Sequence, residues 1–132
     1  MRDIRFRAWD KKKNDWFDED SGDLYIELNG NINFGWNGEI MDDYTDRVIL
    51  LQYTGLKDKK GVEIYEGDIL FHPLQGRRKV YYPYSERVAS YGLRDIDNGF
   101  GSTLQDSHAV WEVIGNVWED GDLIDSERTK TY

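Results

Sequence analysis

The feature that most constrains the fold is a central stretch, residues 51–70, in which two strand-like runs flank a charged turn. The turn reads Lys-Asp-Lys-Lys-Gly over residues 57–61, and its glycine can take the positive φ that a tight reversal requires. A second turn at 66–68 sends the chain into another apolar run. Two reversals between β-prone runs predict antiparallel pairing, with Gln52 and Tyr53 opposite residues 63–65.

Strand signals separated by turns recur along the rest of the chain. Residues 4–9 alternate between apolar and polar side chains, and together with Trp16 and Phe17 they predict a hairpin over 4–17. Asn29-Gly30 is a strong hairpin-turn signal. The last strand candidate contains Gly115, which predicts a bulge. Further strands are predicted at 24–28, 31–36, 48–53, 69–72, 79–82 and 110–118.

Two stretches lack the alternation of a strand. Residues 39–47 are predicted to hold a short helical turn. Residues 92–107 are rich in Gly, Asp, Asn and Ser, which predicts a long loop. No stretch keeps a 3.6-residue period over three turns, so the fold is expected to contain little helix.

The predicted fold class is therefore mainly β. Strands after residue 47 are expected to form a small SH3-like β-barrel over 47–120, with an N-terminal β-hairpin lobe over 1–46. The remaining residues, 121–132, are expected to be a loosely held acidic tail.

The composition excludes several kinds of chemical site. The 132-residue chain carries a net charge of −9 and contains no cysteine, which excludes disulfides, thiol catalysis and cysteine-based zinc sites. It has no apolar run of membrane-spanning length, and the apolar stretch of a signal peptide is missing at its N-terminus. We therefore expect a cytoplasmic protein with no membrane contact.

No catalytic or metal-binding pattern stands out. His72 and His108 lie far apart in sequence and neither has a metal-ligand spacing around it. The acidic run at 18–23 lacks the glycine and glutamate positions of a calcium loop. The serines lie outside any nucleophile motif. We predict no catalytic residues, no cofactor and no metal, and hence no enzyme; a carboxylate-based enzyme is the weakest alternative.

A basic, tyrosine-rich stretch is the sharpest local signal. Cations interleaved with aromatic rings are typical of single-strand nucleic-acid binders, and Tyr and Arg are also enriched at protein interfaces. The alternative is a core strand whose tyrosines pack inward and whose cations pair with carboxylates, and the negative net charge favours it. The candidate interaction surface comprises Arg77, Arg78, Lys79, Tyr81, Tyr82, Tyr84 and Arg87.

Residues 51–70, 4–10 and 113–119 together resemble the YopX family of small phage and prophage proteins. Turn geometry explains the matching glycines, and the matching acids can accept backbone hydrogen bonds in their turns, so a structural role is favoured. The positions that match the family pattern are Tyr53, Gly55, Leu56, Asp58, Gly61, Tyr65, Glu66, Gly67, Asp68 and Gly115.

The resemblance implies a phage or prophage accessory protein in the cytoplasm of a bacterial host, without an assigned activity. We predict a non-enzymatic binding or assembly module that acts through protein–protein contacts, both with itself as a homo-oligomer and with a host or phage protein. Exposed strand edges and a surplus of aromatic side chains motivate the oligomer. The alternative is a nucleic-acid-binding SH3-like barrel that uses residues 77–94.

Overall fold

The computed structural model describes residues 4–85, 90–97, 99 and 101–120. These residues form short β-strands and one 3-10 helix, His108–Val110, so the prediction of a mainly β, small barrel-like fold is confirmed. The predicted tail 121–132 lies outside the described residues, and within them no helix is long and apolar enough to cross a membrane. The strands are β1 Phe6–Asp10, β2 Asp15–Trp16, β3 Asp23–Ile26, β4 Ile32–Trp36, β5 Glu39–Asp43, β6 Val48–Lys57, β7 Glu63–Tyr65, β8 Asp68–His72, β9 Gly76–Tyr81, β10 Gly92–Asp95, β11 Gly101–Thr103 and β12 Glu112–Asn116.

The chain divides into two compact units. The N-terminal unit is Arg7–Leu51, and the C-terminal unit takes the described residues on either side of that range. Strand β6 contributes to both, with residues 48–51 in the first and residues 52–57 in the second.

Hairpins build the N-terminal unit. The predicted hairpin at 4–17 forms as β1 and β2, with Trp9 opposite Trp16 and their rings edge to face at 5.0 Å. A three-stranded antiparallel sheet has the order β3-β4-β5. Phe34 on β4 stacks on Tyr44, with ring centroids 4.9 Å apart. Aromatic contacts of this kind stabilise the unit together with the buried Ile32, Val48 and Leu51.

A buried ion pair also holds the N-terminal unit. The Asp10 carboxylate accepts two hydrogen bonds from Arg47, from Nε at 2.9 Å and from Nη2 at 2.8 Å. The Arg47 guanidinium holds the pKa of Asp10 below its ordinary value of 3.8, although burial acts in the opposite direction. Arg47 also lies 4.3 Å from the centroid of the Tyr44 ring. The pair therefore links the end of β1 to the turn that precedes β6.

The prediction of a short helical turn at residues 39–47 is wrong for the first half of that range. Residues 39–43 form β5, which pairs with β4 and places Gly35 opposite Ile40. The segment has little intrinsic β propensity, and backbone pairing with a neighbouring strand decides its conformation. A turn follows, in which the Val48 and Arg47 N–H groups donate to the Tyr44 carbonyl.

The central hairpin predicted from residues 51–70 is confirmed. Strands β6 and β7 pair antiparallel, with Tyr53 opposite Tyr65 and Lys57 opposite Glu63. The Tyr53 N–H donates to the Arg5 carbonyl at 2.8 Å. Residues 4–6 thus join the C-terminal unit, and the whole N-terminal unit is inserted between residues 6 and 52.

The C-terminal unit has its core against a five-stranded antiparallel sheet of order β11-β10-β9-β8-β12. A bulge interrupts β12 between Val113 and Gly115, as the glycine predicts. One face of the sheet contributes to a cluster of fully buried apolar side chains, the main apolar core of the described residues. Its members are Ile64, Leu70, Val80, Leu93, Leu104 and Trp111.

The prediction of a long loop at residues 92–107 is wrong. Residues 92–95 form β10 and residues 101–103 form β11, and these two strands pair with each other. Leu93 and Leu104 supply the apolar contacts that order this segment, since both are fully buried. Burial of these two leucines therefore decides the conformation of the segment, although its composition favours turns.

Candidate binding surface

The basic, tyrosine-rich stretch falls on β9, and its side chains divide between the two faces of the sheet. Val80 joins the apolar core. Arg78, two residues earlier, shares that face: its Nη1 donates to Ser102 Oγ at 2.8 Å, and its guanidinium lies 5.3 Å from the centroid of the buried Trp111 ring. The Arg78 side chain therefore contacts other residues of the same chain.

The other face of β9 carries Arg77, Lys79 and Tyr81. In the next strand, Arg94 lies directly opposite Lys79. Its guanidinium packs over the Tyr81 ring, 4.4 Å from the centroid. We call these four residues the outer basic surface. Sequence analysis placed Arg94 in a loop and so missed that it stands beside Lys79.

Two further tyrosines of the stretch have contacts of their own. The Tyr82 ring lies 5.1 Å from Tyr91, and Tyr82 is half exposed. The Tyr84 carbonyl accepts a hydrogen bond from the Tyr81 hydroxyl at 3.2 Å. Arg87 lies outside the described residues. Of the described members of the predicted set, Arg77, Lys79 and Tyr81 thus share one face, and Arg78 lies on the other.

Asp58, in the central turn, binds backbone amides. Its Oδ1 accepts the N–H groups of Lys60 and Val62, each at 2.8 Å, and its Oδ2 accepts that of Val113 at 2.9 Å. Burial alone raises the pKa of Asp58, but these donors and the nearby Lys60 charge outweigh it, so the pKa lies below its ordinary value. The carboxylate closes its own turn and ties that turn to β12.

The second turn is built in the same way. The Tyr65 N–H donates to Asp68 Oδ2 at 2.8 Å, and the Gln52 N–H donates to Glu66 Oε2 at 3.3 Å. Gly67 has φ +82°, and a Cβ there would lie 3.1 Å from Trp118 Nε1. The motif acids therefore contact the backbone around them, as a structural role requires.

The other motif positions surround these two turns. Gly55 and Gly61 both have φ +84°. The Tyr53 and Tyr65 rings lie 5.4 Å apart. A Cβ at Gly115 would lie 2.6 Å from Asp120 Oδ2, so the bulge needs a residue without a side chain.

A polar cleft of about 440 Å³ opens beside the second turn of the C-terminal unit. Thr54 and Glu66, which line it, are hydrogen-bonded to neighbouring backbone groups. Ser90 Oγ, also in the lining, is buried without a hydrogen-bond partner in the described structure.

The two histidines occupy separate structural positions. His72 ends β8, and its Nδ1 accepts the Leu74 N–H at 3.1 Å. His108 begins the 3-10 helix, and its Nδ1 lies 2.6 Å from the Lys57 carbonyl oxygen. Among the described residues, no group of three or more His, Asp or Glu side chains is placed to hold a metal ion.

Comparison with known proteins identifies relatives by sequence and by fold. The model of the YopX protein family matches residues 5–125, whereas no curated protein matches the chain. The crystal structure of protein EF1440 from Enterococcus faecalis is similar at 24% identity with a TM-score of 0.56, covering 94% of this chain and 99% of that one. Protein yopX from Bacillus subtilis is similar at 19% identity with a TM-score of 0.55, covering 93% of this chain and 98% of its own. These two structures share the fold.

Proposed function

Because the chain belongs to the YopX family, as the sequence resemblance predicts, we propose that it is a phage or prophage accessory protein acting as a non-enzymatic binding or assembly module. It works through protein–protein contacts in the cytoplasm of a bacterial host, as a homo-oligomer that also engages a host or phage protein.

One observation carries this proposal: large apolar side chains are exposed at the end of the three-stranded sheet. Trp36 on β4 is 50% exposed, and Ile40 and Met41 on β5 are 56% and 66% exposed. Isolated exposed apolar residues are ordinary, but three large exposed apolar side chains on two paired strands, one of them a tryptophan, are typical of an interface. Burying them against protein removes apolar area from water.

Light scattering on the purified full chain tests the proposal. We expect a mass well above the 15.6 kDa of one chain, and Trp36→Lys should move the mass toward the monomer. Leu74→Lys is the matched control, because Leu74 is 90% exposed in the C-terminal unit and its change should leave the mass unaltered. A wild-type chain that stays monomeric from micromolar to millimolar concentration would refute the oligomer.

Nucleic-acid binding is the second candidate function. The observation that favours it is the outer basic surface, where Arg77, Lys79 and Arg94 share one sheet face with the Tyr81 ring. Cations that track phosphates beside a ring that stacks on a base are the components of single-strand binders. We rank it below protein binding because the chain as a whole carries a charge of −9, which repels a phosphate backbone.

A further inference from the structure

Strand β5 is an edge of its sheet. It pairs with β4 on one side only, and in the part of the chain that the structure describes no strand pairs with its other side. All five of its residues are exposed. Met41 is bulged, because Phe34 pairs with Asp42 and Gly35 pairs with Ile40. On either side of the bulge the edge offers backbone N–H and C=O groups to an extended chain that reaches it, so β5 can accept a further strand.

The charges on β5 decide which strand it accepts. Three of its five residues, Glu39, Asp42 and Asp43, are acidic. Pairing of two β5 strands would bring six acidic side chains together at one edge, and like charges on paired strands are destabilising. A second copy of this edge is therefore a poor occupant, whereas a strand bearing Lys or Arg forms favourable cross-strand pairs.

The local hydrogen bonds show which acids can meet a partner. Asp43 turns its carboxylate toward the following turn, where Oδ1 accepts the Thr45 N–H at 2.9 Å. Asp42 accepts the Asp43 N–H at 2.8 Å through Oδ1. No hydrogen bond or ion pair involves the Glu39 side chain among the described contacts. Glu39 and Asp42 thus keep acceptor oxygens for an incoming cation, and Ile40 and Met41 lie between them.

We propose that β5 is the docking edge for an extended basic segment of a partner protein, which adds to the three-stranded sheet as a fourth strand. The segment carries Lys or Arg opposite Glu39 and Asp42 and apolar side chains against Ile40 and Met41. This inference rests on the proposed protein-binding function and names the chemistry of the heterologous partner.

Two synthetic octapeptides test the proposal on the full-length, ¹⁵N-labelled chain: one alternates Lys with Val, and the other alternates Glu with Val. The basic peptide should shift the β5 amide resonances and slow their hydrogen exchange, and the acidic peptide should do neither. Opposite-charge cross-strand pairs contribute about 0.2–1 kcal/mol each. Losing two of them in Glu39→Gln with Asp42→Asn should weaken binding about 2- to 30-fold.

Asp23→Asn is the matched control, because Asp23 is an exposed acid on β3, the other edge of the same sheet. It should leave the affinity unchanged. Equal binding of the acidic peptide, no binding of the basic one at millimolar concentration, or shifts confined to residues outside β5 would each overturn the inference. Light scattering on the same samples separates the two proposals: a chain that assembles but ignores the basic peptide refutes strand addition alone.

Discussion

The two units of this chain use the same short antiparallel strands but bury different kinds of groups. The C-terminal unit closes around an apolar cluster that includes Leu70, Leu93 and Trp111, all with no exposed surface. In the N-terminal unit the least exposed side chain is Asp10, a carboxylate 1% exposed and bound to Arg47. The N-terminal unit also buries Ile32, Val48 and Leu51, but none of them as fully as the C-terminal cluster. Its apolar core is therefore less completely buried, and a carboxylate–guanidinium pair adds to it.

The units also differ in charge. Residues 7–51 contain eleven acidic and five basic side chains, which gives −6 of the total −9. The C-terminal unit is closer to balance and gathers Arg77, Lys79 and Arg94 on one sheet face. Under the proposals above, the two regions suit different partners: the acidic β5 edge suits a basic chain, and the outer basic surface suits an anionic one.

The largest expected effect tests the apolar core. Leu70→Ala removes a fully buried side chain from the cluster and leaves a cavity, which should lower the free energy of unfolding by about 2–5 kcal/mol. Urea denaturation measures the loss. Leu74→Ala, four residues later and almost fully exposed, should change stability by less than about 0.5 kcal/mol. Equal effects of the two changes would contradict the comparison.

The next effect tests the ion pair. Arg47→Met removes both Arg47 hydrogen bonds from the buried Asp10 carboxylate. Oδ1 keeps the Lys12 and Lys13 N–H donors, but Oδ2 loses its Arg47 donor, and an unsatisfied buried acceptor costs about 1–3 kcal/mol. Hydrogen exchange measured amide by amide should show the loss first in residues 7–51. A loss first felt in the C-terminal cluster would break the distinction between the units.

We also expect the stability difference between the wild type and Arg47→Met to depend on pH. The pKa of Asp10 is lowered in the folded chain, chiefly by Arg47, so the pair stabilises the fold above the unfolded value near 3.8 and loses that contribution as pH falls through the lowered folded pKa. The stability difference between wild type and Arg47→Met should therefore be full at pH 7 and shrink below about pH 5. A difference that does not change with pH would show that packing, and not charge, explains it.

The smallest expected effect concerns the outer basic surface. Reversing Arg77 and Lys79 together to Glu should change stability by only about 0–1 kcal/mol, because ion pairs at the surface contribute little. Arg78→Glu should cost more, since Arg78 bonds Ser102 and packs on Trp111. We expect no single-stranded polynucleotide binding by the wild type or the double variant at physiological salt. Micromolar binding by the wild type that Arg77→Glu with Lys79→Glu abolishes would favour the nucleic-acid function instead.

Turn chemistry made much of the fold predictable from sequence. Gly61 in the charged turn, Asn29-Gly30 and the bulge at Gly115 mark local backbone reversals or distortions, and each lies where the sequence indicates. Positive φ and tight turns depend on a few adjacent residues, so they can be read without knowledge of distant contacts.

The errors arose where strand pairing overrides local propensity. β5 and β10 form in segments of weak propensity because β4 and β9 provide pairing partners, and β5 follows β4 directly through the Asn37-Gly38 turn. On the candidate surface, a residue distant in sequence decides which side chains face inward. Strand alternation alone could suggest that Arg78 and Lys79 face opposite sides, but only the position of Trp111, far along the chain, determines which of them points inward. The number of acids on β5 was readable, whereas its position at a sheet edge was not.

The insertion of residues 7–51 also has a consequence for synthesis. The Arg5 carbonyl that the ribosome produces at the start has its partner, the Tyr53 N–H, in a residue made 48 positions later. At about 5–20 residues per second, the first segment of the C-terminal unit waits on the order of seconds before it can pair. The Arg5 carbonyl spends that time without its final partner, while the N-terminal unit can already form its own hairpins. The order in which the chain is made therefore favours folding of the inserted unit before the unit that surrounds it.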